Sequence, residues 1–333
     1  MNVAIGLDTS CYTTSVAAVD ACGRVRAFQR LLLPVESGQR GLRQSEAVFA
    51  HVRQMPGLVE ALARELGPAK VVATAASIAP REAADSYMPV FTVGEGHARA
   101  LAAMWQVPFY GVSHQQGHIT AGQLNQPPMD ARFVALHLSG GTTDLLLSEQ
   151  ERLTPLGSSL DLHAGQLIDR IGVALGLPFP AGPALEALAC AATQPARGAL
   201  PASLANGDLD CHLSGAETQA MQWIRNQTLL PEVLALEVYD LLARTVARML
   251  KAACTQTGVR QALVVGGVAS SALLRSLIRQ RLRKLGAEMD LRFGEPQYSA
   301  DNAAGVAWLG MRRYLELSAT GADTQPTGAS QTE

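Results

Sequence analysis

One pattern occurs twice along this chain. Val3–Asp8 reads as a buried strand, Thr9–Thr14 as a small polar hairpin and Ser15–Val19 as the returning strand. Phe133–Leu138, Ser139–Thr143 and Asp144–Leu147 repeat that order, and third strands are expected at Val25–Leu33 and Arg152–Leu156. A strand–hairpin–strand–strand opening, written twice and followed each time by helices and further strands, predicts two similar α/β lobes.

After the first opening, helical spacing covers Ser45–Leu66 and stops at Gly67-Pro68. A strand at Val71–Ser77, a helix at Gly94–Trp105 and a short strand at Phe109–Val112 follow. After the second opening, helices are expected at His163–Leu175, Leu234–Thr255, Ser270–Leu285 and Asn302–Leu317, with strands at Ala262–Val265 and Met289–Phe293. The domains predicted are 1–130, 131–317 with the last helix free to pack back on the first lobe, and a disordered Thr/Gly/Ala/Gln-rich tail over 318–333.

With 333 residues, 48% of them hydrophobic, the chain has material for two cores. A net charge of −2 gives no general attraction to nucleic acid. The one basic cluster, Arg275, Arg279, Arg281, Arg283 and Lys284, alternates with leucines at helical spacing and reads as the solvated face of an amphipathic helix. Five cysteines without Cys-x-x-Cys spacing argue against a disulfide framework or a cysteine-rich zinc site. No leader pattern or membrane-length apolar run is present, so a cytoplasmic, non-membrane protein is expected.

Two duplicated lobes with glycine-bearing hairpins suggest the actin/sugar-kinase/Hsp70-type fold, with the hairpins facing one another across a central cleft. Small residues at such hairpins let backbone N–H groups approach a phosphate. Gly266-Gly267, directly after a buried strand, falls where α/β sheets bind ligands. His114 and His118 are four residues apart, so on a helix their rings share one face and can reach one metal ion. The alternative is a pair of polar residues on an exposed helix start.

In order along residues 3 to 315, these segments resemble the tRNA threonylcarbamoyladenosine synthase family, once named for an O-sialoglycoprotein endopeptidase activity. Leu7-Asp8-Thr9-Ser10-Cys11 is similar to its [E/D]-T-S-C start, and His114-Gln115-Gln116-Gly117-His118 to its H-x-E-G-H motif. Ser139–Thr143 resembles S-G-G-H-T, Ala164–Asp169 resembles A-G-E-A-[FY]-D, and Phe179–Pro183 resembles Y-P-G-G-P. Leu213–Thr218 resembles F-S-G-L-K-T, and Val265–Ala269 and Ala300–Asn302 are similar to the last two blocks.

The resemblance implies transfer of a threonylcarbamoyl group from its adenylate to N6 of the adenosine beside the tRNA anticodon. It implies one divalent metal, iron or zinc, held by His114, His118 and Asp301. It implies an adenine nucleotide or acyl-adenylate held by His137, Leu138, Ser139, Gly140, Gly141, Asp169, Gly182, Gly266, Gly267 and Ser271. The partners implied are tRNA and either a second copy or a shorter homologue, paired through the N-terminal lobe.

Departures from the family pattern gather at the motifs. Tyr12 and Thr13 stand where two acidic residues are usual, Thr142 replaces a histidine, Glu217 a lysine, Ser271 an asparagine and Gln116 a glutamate. The glycine-rich G-P-G stretch reads Ala79-Pro80-Arg81-Glu82. Arg81 suits either a phosphate partner or a surface loop. Two readings therefore stand: an active transferase, or a diverged paralogue that regulates, scaffolds or uses another carbamoyl or acyl substrate. A sugar or acetate kinase would need Asp8 or Asp144 as base, and a zinc protease would need a glutamate beside the first histidine.

Overall fold

Each copy of the repeated pattern builds a five-stranded sheet, and the two sheets have the same strand order. The computed structural model describes residues 1–10, 12–34, 42–83, 86–300 and 303–320. They divide into two units, Met1–Pro127 with Ala300–Glu333, and Pro128–Ser299.

The first unit begins with β1 (Asn2–Ser10), β2 (Thr13–Asp20) and β3 (Val25–Leu32). Helix α1 (Gln44–Leu66), β4 (Lys70–Ala79), α2 (Phe91–Trp105), β5 (Phe109–Ser113) and α3 (His114–Ala121) follow. The second contains β6 (Arg132–Leu138), β7 (Thr143–Glu149), β8 (Arg152–Ser158), α4 (Ala164–Ala174) and α5 (Gly182–Cys190). It continues with β9 (Ser203–Ala205), β10 (Asp210–His212), α6 (Ser214–Asn226), α7 (Pro231–Thr257), β11 (Gln261–Val265), α8 (Ala272–Lys284) and β12 (Asp290–Phe293). The last helix, α9 (Ala304–Thr320), is counted with the first unit.

The sheets run β3-β2-β1-β4-β5 and β8-β7-β6-β11-β12. In each, the first strand pairs antiparallel with the second and parallel with the strand that returns after the helices. β1 is buried along nearly its whole length, as expected of a central strand covered on both faces. Gly6 faces α9, where a Cβ would lie 2.3 Å from the Ala307 nitrogen. Thr9 and Thr14 form a cross-strand pair on the other face, where Thr9 bonds the Val90 carbonyl and the Gly94 N–H at the start of α2, and Thr14 bonds His51 of α1. The second unit has its own core, in which α7 contributes Leu234, Val238, Leu242, Val246 and Leu250. Pro231 opens that helix, and Gly258, left-handed at φ 72°, closes it.

Most expected elements match within two or three residues. Helices α5 and α6 and the short β9–β10 pair are elements for which the sequence alone gives no expectation. Helix α9 runs to Thr320, past the start of the tail expected at 318; residues 321–333 lie outside the described residues, as do Cys11, Asp301 and Asn302. The basic face of α8 is not simply solvated. Arg275 bonds the carbonyls of Ala269 and Gly294, Arg279 bonds that of Leu291, both stack on Phe293, and Arg281 pairs with the buried Asp240. Among the described residues no helix is long and apolar enough to cross a membrane.

Candidate functional site

The turn from β5 into α3 fixes the histidine pair. Ser113 caps the helix by accepting from the Gln116 N–H at 3.1 Å, and the Gln116 side chain accepts from the Ser113 N–H at 2.8 Å. This reciprocal cap needs an amide or carboxylate oxygen, which explains why glutamine serves where the family motif has glutamate. The cap leaves His114 in the first turn and His118 one turn later. Their Nε2 atoms converge to 3.0 Å, with rings 4.5 Å apart and nearly perpendicular. His118 is buried and His114 largely so, which overturns the reading of an exposed helix start.

Asp8, fully buried near the end of β1, accepts a bond from His114 Nδ1 at 3.1 Å, and Phe91 packs 5.9 Å from the same ring. Gly117, between the histidines, lies against α9, where a Cβ on Gly305 would meet its carbonyl oxygen at 1.9 Å. Asp301, the third expected ligand, is outside the described residues. Among those described, no group of three or more His, Cys, Asp or Glu is set to hold a metal.

A third histidine, not singled out from sequence, lies under this site. His51 of α1 is fully buried, with Nδ1 2.7 Å from Thr14 Oγ1. Gln54 donates to the Leu32 carbonyl, so its oxygen accepts the Thr14 proton at 2.6 Å, and His51 Nδ1 must then be the donor to Thr14. Burial holds the His51 pKa below its ordinary value of 6.5, against the Asp8 charge and the Ser10 backbone, which both raise it. The residue was legible as core-facing: Ala47, His51, Met55, Leu58 and Leu62 mark one buried stripe of α1.

In the second unit, several expected nucleotide residues sit at the carboxyl ends of β6 and β11. His137 and Leu138 are buried in β6, and the Ser139 N–H closes the following turn on the Thr142 carbonyl at 2.8 Å. The glycines there are of two kinds. Gly266 has φ +97°, and a Cβ would fall 2.2 Å from the Leu138 oxygen, so packing alone requires it. Gly140, Gly141 and Gly267 have nothing within 4 Å of a Cβ position, and their backbones line open space. No packing at the Cβ position requires glycine at these three places.

Asp169 accepts the Ala181 N–H at 2.7 Å and so fixes the chain entering α5 at Gly182; burial raises its pKa. The Gly182 carbonyl accepts from Tyr239 at 3.0 Å, and burial pushes that phenol well above its ordinary value. Ser271 caps α8 through the Leu274 N–H, and Glu186, unremarked in the sequence, accepts the neighbouring Leu273 N–H at 2.8 Å.

The Glu217 carboxylate meets Arg170 of α4 at 3.1 and 3.3 Å. At the start of α6, burial raises the Asp161 pKa, but the Ser214 hydroxyl and the N–H groups of Leu213, Leu162 and Ser214 outweigh it and bring it down to about 2.

Residues 41–308 match the family described as tRNA N6-adenosine threonylcarbamoyltransferase. The chain belongs to that family. Its members are transferases that act on tRNA, so the family match carries the general activity class to this chain.

Similar solved structures agree on the fold. A ROK family glucokinase from Streptomyces griseus, in complex with glucose and AMPPNP, is 13% identical with a TM-score of 0.55, over 93% of this chain and 99% of that one. Component A of the (R)-2-hydroxyglutaryl-CoA dehydratase of Acidaminococcus fermentans is 12% identical, with a TM-score of 0.52 over 95% of this chain and 100% of that one. HypF from T. kodakarensis is 14% identical, with a TM-score of 0.58 over 96% of this chain and only 48% of its own length. At such identities the likeness shows the duplicated actin/sugar-kinase-type α/β fold and nothing of substrate.

Proposed function

We propose that this chain transfers a threonylcarbamoyl group from threonylcarbamoyl-AMP to N6 of the adenosine next to the tRNA anticodon, with one divalent metal, iron or zinc, at His114, His118 and Asp301. The observation that carries the metal site is the 3.0 Å convergence of two Nε2 atoms, one of them on a ring whose Nδ1 is held by the buried Asp8. Ring nitrogens facing one another in this way suit a shared cation. Asp301 enters as third ligand by the likeness of Ala300–Asn302 to the family's last motif.

A metal held there supplies Lewis-acid polarisation of a carbonyl oxygen. The remaining roles belong to the chain. The open backbone at Gly140, Gly141 and Gly267 admits the phosphate of the adenylate, and Asp169 and Gly182 border the place for its nucleoside. His137, Leu138, Ser139, Gly266 and Ser271 hold that frame through β6, the Leu138 carbonyl and the cap of α8. A tRNA acceptor implies a cytoplasmic setting. Pairing through the first unit, with a second copy or a shorter homologue, is checked by light scattering.

One observation favours a second reading, a paralogue with changed substrate handling. Glu217 stands where the family carries a lysine, and its carboxylate is engaged by Arg170. The deciding assay mixes metal-retaining protein with threonylcarbamoyl-AMP, unmodified tRNA and candidate partner proteins. Formation of the modified nucleoside is expected. No product, beside full activity of an accepted family member in the same mixture, selects the paralogue.

A further inference from the structure

A carboxylate fully withdrawn from water is costly unless its charge is matched. Asp8 is 0% exposed, and among the described residues its side chain makes one polar contact, to His114 Nδ1, while Oδ2 has no hydrogen-bond partner. The contact has a defined polarity. With the Asp8 carboxylate oxygen as acceptor in this contact, His114 Nδ1 carries the proton and His114 Nε2 presents a lone pair. That lone pair is the one aimed at His118 Nε2, 3.0 Å away.

Asp8 is also held rigidly. It lies on the central strand β1, paired with Ser15 on β2, and its carbonyl accepts from the Ser15 hydroxyl. The neighbouring Thr9 anchors the start of α2, from which Phe91 packs on the His114 ring. The ring is thus gripped at Nδ1 and packed against Phe91.

We infer that Asp8 is the positioning carboxylate of this centre: it fixes the tautomer and direction of His114, and its unmatched charge favours a cation at the converging Nε2 atoms. The inference rests on the reading of the pair as a metal site. Asp8 acts through His114 and contacts no substrate. Its role is that of the outer carboxylate in a carboxylate–histidine–metal arrangement, where loss of the outer partner typically costs about 10- to 100-fold in metal affinity.

The test uses the full-length chain with ¹⁵N-labelled histidine, with and without Zn²⁺, as wild type, Asp8→Ala, Asp8→Asn and His114→Ala. In metal-free wild type, His114 should show the Nδ1–H tautomer, and Asp8→Ala should shift it toward Nε2–H. Zn²⁺ affinity should fall about 10- to 100-fold in Asp8→Ala. Asp8→Asn keeps an oxygen for Nδ1–H but removes the charge, so it should keep the tautomer and still lose affinity. If Asp8→Ala fails to fold, Asp8→Asn decides by the same two readings. An unchanged His114 tautomer and Zn²⁺ affinity in the folded variants, with affinity lost in His114→Ala, overturns the role of Asp8 and leaves the metal site standing. If wild type binds no Zn²⁺, the metal reading falls, and the tautomer shift alone judges whether Asp8 orients His114.

Discussion

Gly305 lies so close to Gly117 that a Cβ on Gly305 would fall 1.9 Å from the Gly117 carbonyl oxygen. Gly117 sits between the two histidines of α3, and Gly305 is in the first turn of α9, four residues beyond Asp301. The contact ties the separation of α3 and α9 to two missing side chains. Gly305→Ala should therefore push the helices apart, costing about 1–3 kcal/mol as overpacking does. The same variant should also bind less metal per chain. Denaturant midpoints and metal analysis check both; a variant with wild-type midpoint and stoichiometry would remove this coupling.

Ligand loss is the direct test of the metal assignment. His114→Ala and Asp301→Ala should each lower bound iron or zinc per chain, read by elemental analysis of protein purified without added metal. Equal stoichiometry in both variants and wild type rules the assignment out.

The glycines predict opposite outcomes for one substitution. Gly267→Ala, placed in open space, should leave the thermal midpoint nearly unchanged and weaken AMP binding in calorimetry. Gly266→Ala, forced against Leu138 at φ +97°, should destabilise the fold instead. Weak binding without destabilisation in Gly266→Ala would contradict this division.

Two groups predict how stability changes with pH. The folded pKa of His51 is depressed below 6.5, so below that pH the unfolded chain takes up a proton that the folded chain does not. Stability should fall as pH drops from about 6.5 toward the folded value, and His51→Asn should flatten that part of the curve. Asp161 is ionised in the fold down to about 2, against an ordinary 3.8. Its contribution is present above 3.8 and is lost as pH falls through about 2. Thermal midpoints against pH for wild type, His51→Asn and Asp161→Asn check both windows.

The Arg170–Glu217 pair predicts a small energy and a clear coupling. Arg170 is half exposed, so breaking the pair should cost at most about 1 kcal/mol. Glu217→Lys should lose that much or slightly more, from like-charge contact, and Arg170→Glu in the same chain should restore it. Additive effects across the four proteins would mean that the pair does not interact.

The fold was legible because its cause is local. Alternating and continuous apolar runs at Val3–Val19 and Phe133–Leu147 dictate strands, and their repetition dictates two sheets. The site was legible only in part. Helical spacing puts His114 and His118 on one face, and a resemblance gave the glycine motifs a role. Neither shows that Asp8 bonds His114 across 106 residues, or that Thr14 and Gln54 dictate the His51 tautomer. The partners of Arg275, Arg279 and Arg281 were equally hidden, since a carbonyl on a neighbouring strand leaves no mark in a helix's own spacing.

By itself, then, the sequence determined the duplicated sheets, the helix that carries the histidine pair and the family to which the chain belongs. Those follow from periodicity, capping and ordered motifs. Only the tertiary structure decided which glycines are packed and which are open, and which carboxylate faces which histidine. Such choices depend on close approach between distant segments, where burial sets the energetic cost of each unmatched polar atom.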